Sequence, residues 1–226
     1  AEARAALVRR CVAEALRGAL PAHVSAATAR LEAEWQEAAV TASLESEAGR
    51  APFEIEALEM PLERSFAGLP LRLRVDRLDR TEAGVVVIDY KTGITSTGHW
   101  RGARPEAPQL PLYSVLAGAG VAAVAFAEVR AAGARFRAVG EAAAGLPGMT
   151  AAERFELTED GEKGFTWPQV KARWAAWLAK LVEEHGAGAA AVDPKTPQTC
   201  RLCHLGTLCR VDRRLADEDP EEDADG

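Results

Sequence analysis

The chain has 226 residues, 48% of them hydrophobic and 27% charged, a composition that belongs to folded globular proteins and excludes disorder throughout. No apolar run approaches the ~20 residues of a membrane-spanning helix, and the opening AEARAALVRRC lacks the regions of a secretory signal, so no membrane partner and a cytoplasmic location are expected. The formal charge of −7 would argue against a polyanionic partner, but seven acids sit between Asp217 and Asp225 and the remaining charges balance. Residues 216–226 therefore read as a solvated, disordered acidic tail that says little about what the folded part binds.

Residues 1–50 are Ala-rich and read as a helical segment packed on the core. Leu7, Val8, Cys11, Val12, Ala15 and Leu16 recur on one helical face, Gly18 and Pro21 end that helix, and Ser25 can cap a second carrying Leu31, Trp35, Ala38 and Ala39. Two-residue alternation follows over 53–62. It resumes after a turn at 67–70, with Leu71, Leu73 and Val75 against Arg72, Arg74 and Asp76. Beyond a second turn at 81–84, Val85-Val86-Val87-Ile88 is the continuous β-branched run of a strand buried on both faces. Residues 105–116 return to a helical pattern, 121–130 alternate as a fourth strand, 134–139 form a fifth, and the Gly-rich, charged stretch 140–165 reads as loop. Thr166-Trp-Pro-Gln169 has the form of a capping box. The helix it opens bears Val170, Trp174, Trp177, Leu178, Leu181 and Val182, a core stripe rather than a platform for stacking bases, and Gly186 closes it. The expected fold class is α/β, a mixed sheet of four or five strands flanked by helices, with residues 51–215 as the main domain.

The chemistry concentrates where the second and third strands meet. Asp89 and Lys91 are two apart and share a strand face, and a hairpin turning near residues 82–84 sets Asp76 opposite Asp89. Two carboxylates and an ammonium on one sheet face are costly unless a cation and a substrate share the site, and oxygen donors of this kind suit Mg²⁺ or Mn²⁺. Cys200, Cys203 and Cys209 fall within ten residues, a spacing for metal ligation rather than for disulfides in a cytosolic chain. Zn²⁺ and an iron–sulfur cluster both remain open on spacing alone, although His204, adjoining Cys203, is awkwardly placed as a zinc ligand. Cys11 stands apart, on an apolar helix face, and reads as a buried core cysteine.

The order Asp76, then Asp89-Tyr90-Lys91-Thr92-Gly93, resembles the PD-(D/E)xK nuclease superfamily, and within it the RecB/AddB-like branch. Gln109 and Tyr113 match that branch's Gln-x-x-x-Tyr motif, and the three cysteines match the trailing ligands of its iron–sulfur-bearing members, so the resemblance runs from about residue 53 to 210. It implies a restriction-endonuclease-like core, with Mg²⁺ or Mn²⁺ held by Asp76, Asp89 and the backbone carbonyl of Tyr90, and Lys91 as the catalytic lysine. It implies substrate contacts from Gln109 and Tyr113, and a [4Fe-4S] cluster on Cys200, Cys203 and Cys209 in preference to Zn²⁺. Arg77, with Arg72, Arg74, Arg101 and Arg104, is expected to meet DNA phosphates. Asp79 is expected to be structural.

Two departures stand out. His23 is the only histidine before Asp76 and lacks the context of the branch's upstream metal ligand, and Cys11 lacks that of its first cluster cysteine. Together with the abrupt start, these suggest the C-terminal piece of a larger protein whose remainder carries both ligands. The expected function is a metal-dependent deoxyribonuclease, an exonuclease module of DNA repair or recombination end-processing that works beside a helicase subunit or domain. The alternative is a non-catalytic DNA-binding scaffold, which has no need to keep Asp76, Asp89 and Lys91 together.

Overall fold

In the computed structural model, which describes residues 2–118 and 120–209, Ser25 starts the second helix as its sequence context suggests. Its hydroxyl accepts the Thr28 N–H at 3.1 Å, leaving α1 (Glu2–Ala19) and α2 (Ala26–Glu47) as a helical hairpin. Helix α1 buries only Val8 and Val12, and α2 only Ala39. The apolar groove between them stays open, so Cys11 is exposed on its rim and not in the core as expected. The acidic tail lies outside the described residues.

Strands β1 (Glu54–Phe66) and β2 (Leu69–Thr81) are joined by the two-residue turn Ala67-Gly68, whose φ values of 48° and 84° match the mirror-image turn that suits strand twist. The sheet runs β1-β2-β3-β4-β5-β6 in chain order, with β3 (Gly84–Lys91), β4 (Val121–Glu128), β5 (Arg135–Gly140) and β6 (Thr150–Ala151). Pairing is antiparallel except for β3 with β4 and β5 with β6. Six strands stand where four or five were expected. The sixth hides in the stretch read as loop, since two residues carry no periodicity. The parallel β3–β4 pair is connected through α3 (Gln109–Leu116), the crossover such a pair requires.

Alternation divides the core between the two sheet faces. Val87, Val124, Phe126 and Val139 belong to one apolar cluster with Trp100, Trp167 and Trp174. Val86, Ile88, Ala123, Ala125 and Phe136 belong to the other. In α4 (Trp167–Gly186) Trp174 is core, as its spacing suggested, while Trp177 is only partly buried against the same cluster. Trp174 donates its indole N–H to the Trp100 carbonyl at 2.9 Å, and Trp167, also buried, donates to that of Val121 at 2.6 Å. The capping box forms in part, the Thr166 N–H donating to Gln169 Oε1 at 2.8 Å. By its contacts the chain divides into two compact units, Ala1–Lys180 and Leu181–Gly226, the second holding α5 (Pro197–Leu202) and α6 (Gly206–Cys209).

Candidate active site

The β2–β3 ladder ends at the pair Arg77↔Ile88, one step short of Asp76 and Asp89. Below it the two strands part. There the Tyr90 N–H donates to Asp76 Oδ2 at 2.9 Å, so a side-chain carboxylate takes the place of the next ladder acceptor. A strand residue sends its N–H and carbonyl out on the same side, which puts the Tyr90 carbonyl in the gap beside Asp76. The tyrosine ring goes to the opposite sheet face, where its hydroxyl accepts from Arg77 Nη1 at 2.9 Å.

Asp89 is only 2% exposed, and Lys91 Nζ lies 2.5 Å from its Oδ2 while keeping 40% of its own side chain exposed. Burial raises the Asp89 carboxyl above the ordinary carboxylate range; Lys91 draws it back down, and the nearby charge of Asp76 adds to the rise. Asp89 Oδ2 has no aligned hydrogen-bond donor, so its contact with Lys91 is an ion pair, and one buried oxygen keeps unused acceptor capacity. Asp76, Asp89 and Lys91 thus share one face at the point where the strands separate. Carboxylate and carbonyl oxygens alone form a donor set that fits a hard divalent cation, which keeps waters on its remaining positions. Among the described residues no group of three or more His, Cys, Asp or Glu side chains gathers to hold a metal.

Gln109 and Tyr113, one turn apart on α3, form a relay and not two separate contacts. Gln109 Nε2 donates to the Tyr113 hydroxyl at 3.0 Å, and that hydroxyl donates to the Arg74 carbonyl at 2.8 Å. Tyr113 is 3% exposed, so its place is behind β2, two residues from Asp76.

The arginines expected at the phosphates are dispersed. Arg77 and Asp79 point to the sheet face opposite Asp76, by strand alternation. Arg77 is 6% exposed and bonds Asp79 Oδ1 at 2.6 Å and Glu47 Oε1 at 2.8 Å, while Arg50 Nη1 meets Asp79 Oδ2 at 2.6 Å. Arg77 therefore ties α2 to the back of the sheet, and phosphate contact is not where the structure puts it. Arg72 and Arg74 pair across the β1–β2 ribbon with Glu63 at 3.3 Å and Glu59 at 3.0 Å, and Arg101 pairs with Glu156 at 2.5 Å.

Sequence reading missed Glu128, which ends β4 as the register partner of Lys91 and is 1% exposed. Its Oε1 accepts the N–H and hydroxyl of Thr95 at 2.7 and 2.9 Å, and its Oε2 accepts Arg135 Nε at 2.9 Å. These partners hold its carboxyl below the ordinary range against the opposing effect of burial. A lone glutamate in an alanine-rich strand was the available signal, and its partners lie too far along the chain to announce it.

In the second unit, Cys200, Cys203 and Cys209 line one hollow together with Val192 and Pro194. They do not form a group able to hold a metal ion among the described residues, so the expected convergence of three sulfurs is not seen.

The family model of the PD-(D/E)XK nuclease superfamily matches residues 1–210 of the chain. No curated protein matches it.

Proposed function

We propose that this chain, which belongs to the PD-(D/E)XK nuclease superfamily, hydrolyses DNA phosphodiesters with the help of a divalent cation. The observation that carries the proposal is the meeting of Asp76, Asp89 and Lys91 on one sheet face where β2 and β3 part. Asp76, Asp89 and the Tyr90 carbonyl would hold Mg²⁺ or Mn²⁺, which when bound lowers the pKa of water and offsets charge on the phosphate. Lys91, steered by its ion pair with Asp89, would orient the attacking water by hydrogen bonding. Its positive charge favours the negative charge that builds on the phosphate as water attacks phosphorus and the bond to the leaving oxygen breaks. Tyr113 contributes indirectly, fixing the β2 backbone from which Asp76 projects.

The finer reading is an exonuclease module of DNA repair or recombination, acting in the cytoplasm beside a helicase subunit or domain; it rests on the Gln109–Tyr113 motif and the cysteine spacing. No helix among the described residues is long and apolar enough to cross a membrane. The iron–sulfur cluster has support from cysteine spacing alone. Iron and acid-labile sulfide in anaerobically purified protein would establish it, and zinc or no metal would remove it.

The function is tested by single-turnover release of nucleotides from labelled duplex and single-stranded DNA, with and without Mg²⁺ or Mn²⁺. Cation-dependent release supports the proposal. Cleavage that persists in chelator would sink it, and metal-dependent DNA binding without cleavage would favour the scaffold.

A further inference from the structure

At the carboxyl ends of the parallel strands β3 and β4, Lys91 and Glu128 lie side by side. Such strand ends are where open α/β sheets receive ligands. The register of β4 with β5 pairs Phe126 with Arg137 and Glu128 with Arg135, so both arginines share the sheet face of Asp89 and Lys91. Arg130, just past β4, joins them. Glu128 Oε2 is 2.9 Å from Arg135 Nε and 3.7 Å from Arg130 Nη1, and its Oε1 is 3.9 Å from Arg137 Nε.

One carboxylate thus faces three guanidinium groups, and it already spends one oxygen on Thr95. The Arg137 Nε is buried with no hydrogen-bond acceptor. The arginine side chains nevertheless remain 45% (Arg135), 40% (Arg137) and 29% (Arg130) exposed. The fan is therefore anchored at its base and carries surplus positive charge at its surface, a match for the oxygens of a phosphodiester. Arg135 stands two strand spacings from Lys91, roughly 10 Å at ~4.8 Å per strand. At ~3.4 Å per nucleotide that is a few nucleotides along a backbone.

We propose that Arg130, Arg135 and Arg137, preset by Glu128, form a phosphodiester-binding subsite that holds the nucleic-acid backbone on the β4–β5 side of the centre. The proposal rests on the nuclease reading and gives it a direction: the strand being cut passes over Lys91 towards β5. Because Glu128 already restrains the guanidinium groups, less rotamer freedom is lost on binding.

The test is fluorescence anisotropy of a labelled single-stranded oligonucleotide and its duplex, in EDTA to prevent cleavage, over a salt series. Replacing Arg135→Ala and Arg137→Ala together should weaken binding on the order of tenfold and reduce the salt slope by about 1 to 2. Arg135→Lys should recover part of the loss, since it keeps the charge without the planar fork. Arg64→Ala, which removes an exposed charge from the β1–β2 ribbon, should leave affinity and slope unchanged. Circular dichroism checks each variant, and Arg135→Ala alone carries the test if the double variant unfolds. Unchanged affinity in a folded variant, or an equal loss in Arg64→Ala, would overturn the subsite while metal-dependent wild-type cleavage kept the nuclease reading. The predicted binding losses in the variants, with a wild-type protein that never cleaves, would retain the subsite and remove the nuclease.

Discussion

Burial opposes the charge on Asp89 and, offset only in part by Lys91, raises its carboxyl above the ordinary carboxylate range, so the charged form of this residue does not add to stability. Asp89→Asn should accordingly leave metal-free protein as stable as the wild type or slightly more stable, by urea unfolding in EDTA, while abolishing cleavage. Glu128 has the opposite sign. Its folded-state pKa is depressed, so its contribution is present above the unfolded value of about 4.3 and is lost as pH falls through the folded one. Glu128→Gln should cost about 2 kcal/mol at pH 7, the scale of hydrogen bonds to a charged group, and the gap to wild type should close on acidification. A gap that persists at low pH would show that shape, not charge, is what Glu128 supplies. That Asp76, Asp89 and Lys91 lie together on one sheet face was legible because strand spacing alone aligns them. Arg77 was misread although the same rule forbids adjacent residues to share a face, so its closeness to Asp76 in sequence misled. Glu128 was illegible because Thr95 and Arg135 reach it only through the β3–β4–β5 register.

The elements hold the centre open by stopping one ladder early and bracing what lies beyond. The Tyr113 hydroxyl on the Arg74 carbonyl is one brace, and Tyr113→Phe removes only that bond. It should cost about 1 kcal/mol of stability and lower single-turnover cleavage while leaving DNA affinity in EDTA unchanged. Gly84 fixes the other end of the hairpin. Its φ of 129° disfavours any side chain, and an added Cβ would stand 2.5 Å from the Gly120 carbonyl oxygen. Gly84→Ala should therefore destabilise by about 2 kcal/mol, read as a lower urea midpoint. The hairpin and the β3 strand were readable from alternation and the valine run, and the helices from their caps. Strand β6 was not, because its two residues are recruited by β5 rather than by any pattern of their own.

Across the whole molecule, the three tryptophans Trp100, Trp167 and Trp174 meet edge to face or tilted against one another and Phe126, on the same sheet face as the carboxylates. This apolar mass fills the core on that face, and Trp174→Ala should cost about 3–5 kcal/mol, measured by thermal or urea unfolding. The fold class was legible because helical and two-residue periods alternate plainly along the chain; the cysteine geometry was not, since spacing states which residues are near in sequence and not where their sulfurs point. The account turns on Lys91 acting in the transition state and not in ground-state binding. Its most direct test compares wild type with Lys91→Ala in single-turnover DNA cleavage under saturating Mg²⁺ or Mn²⁺, alongside oligonucleotide affinity in EDTA. Cleavage lost by a factor on the order of 10³ or more, with affinity and folding largely retained, is the predicted result; full activity in Lys91→Ala would contradict it.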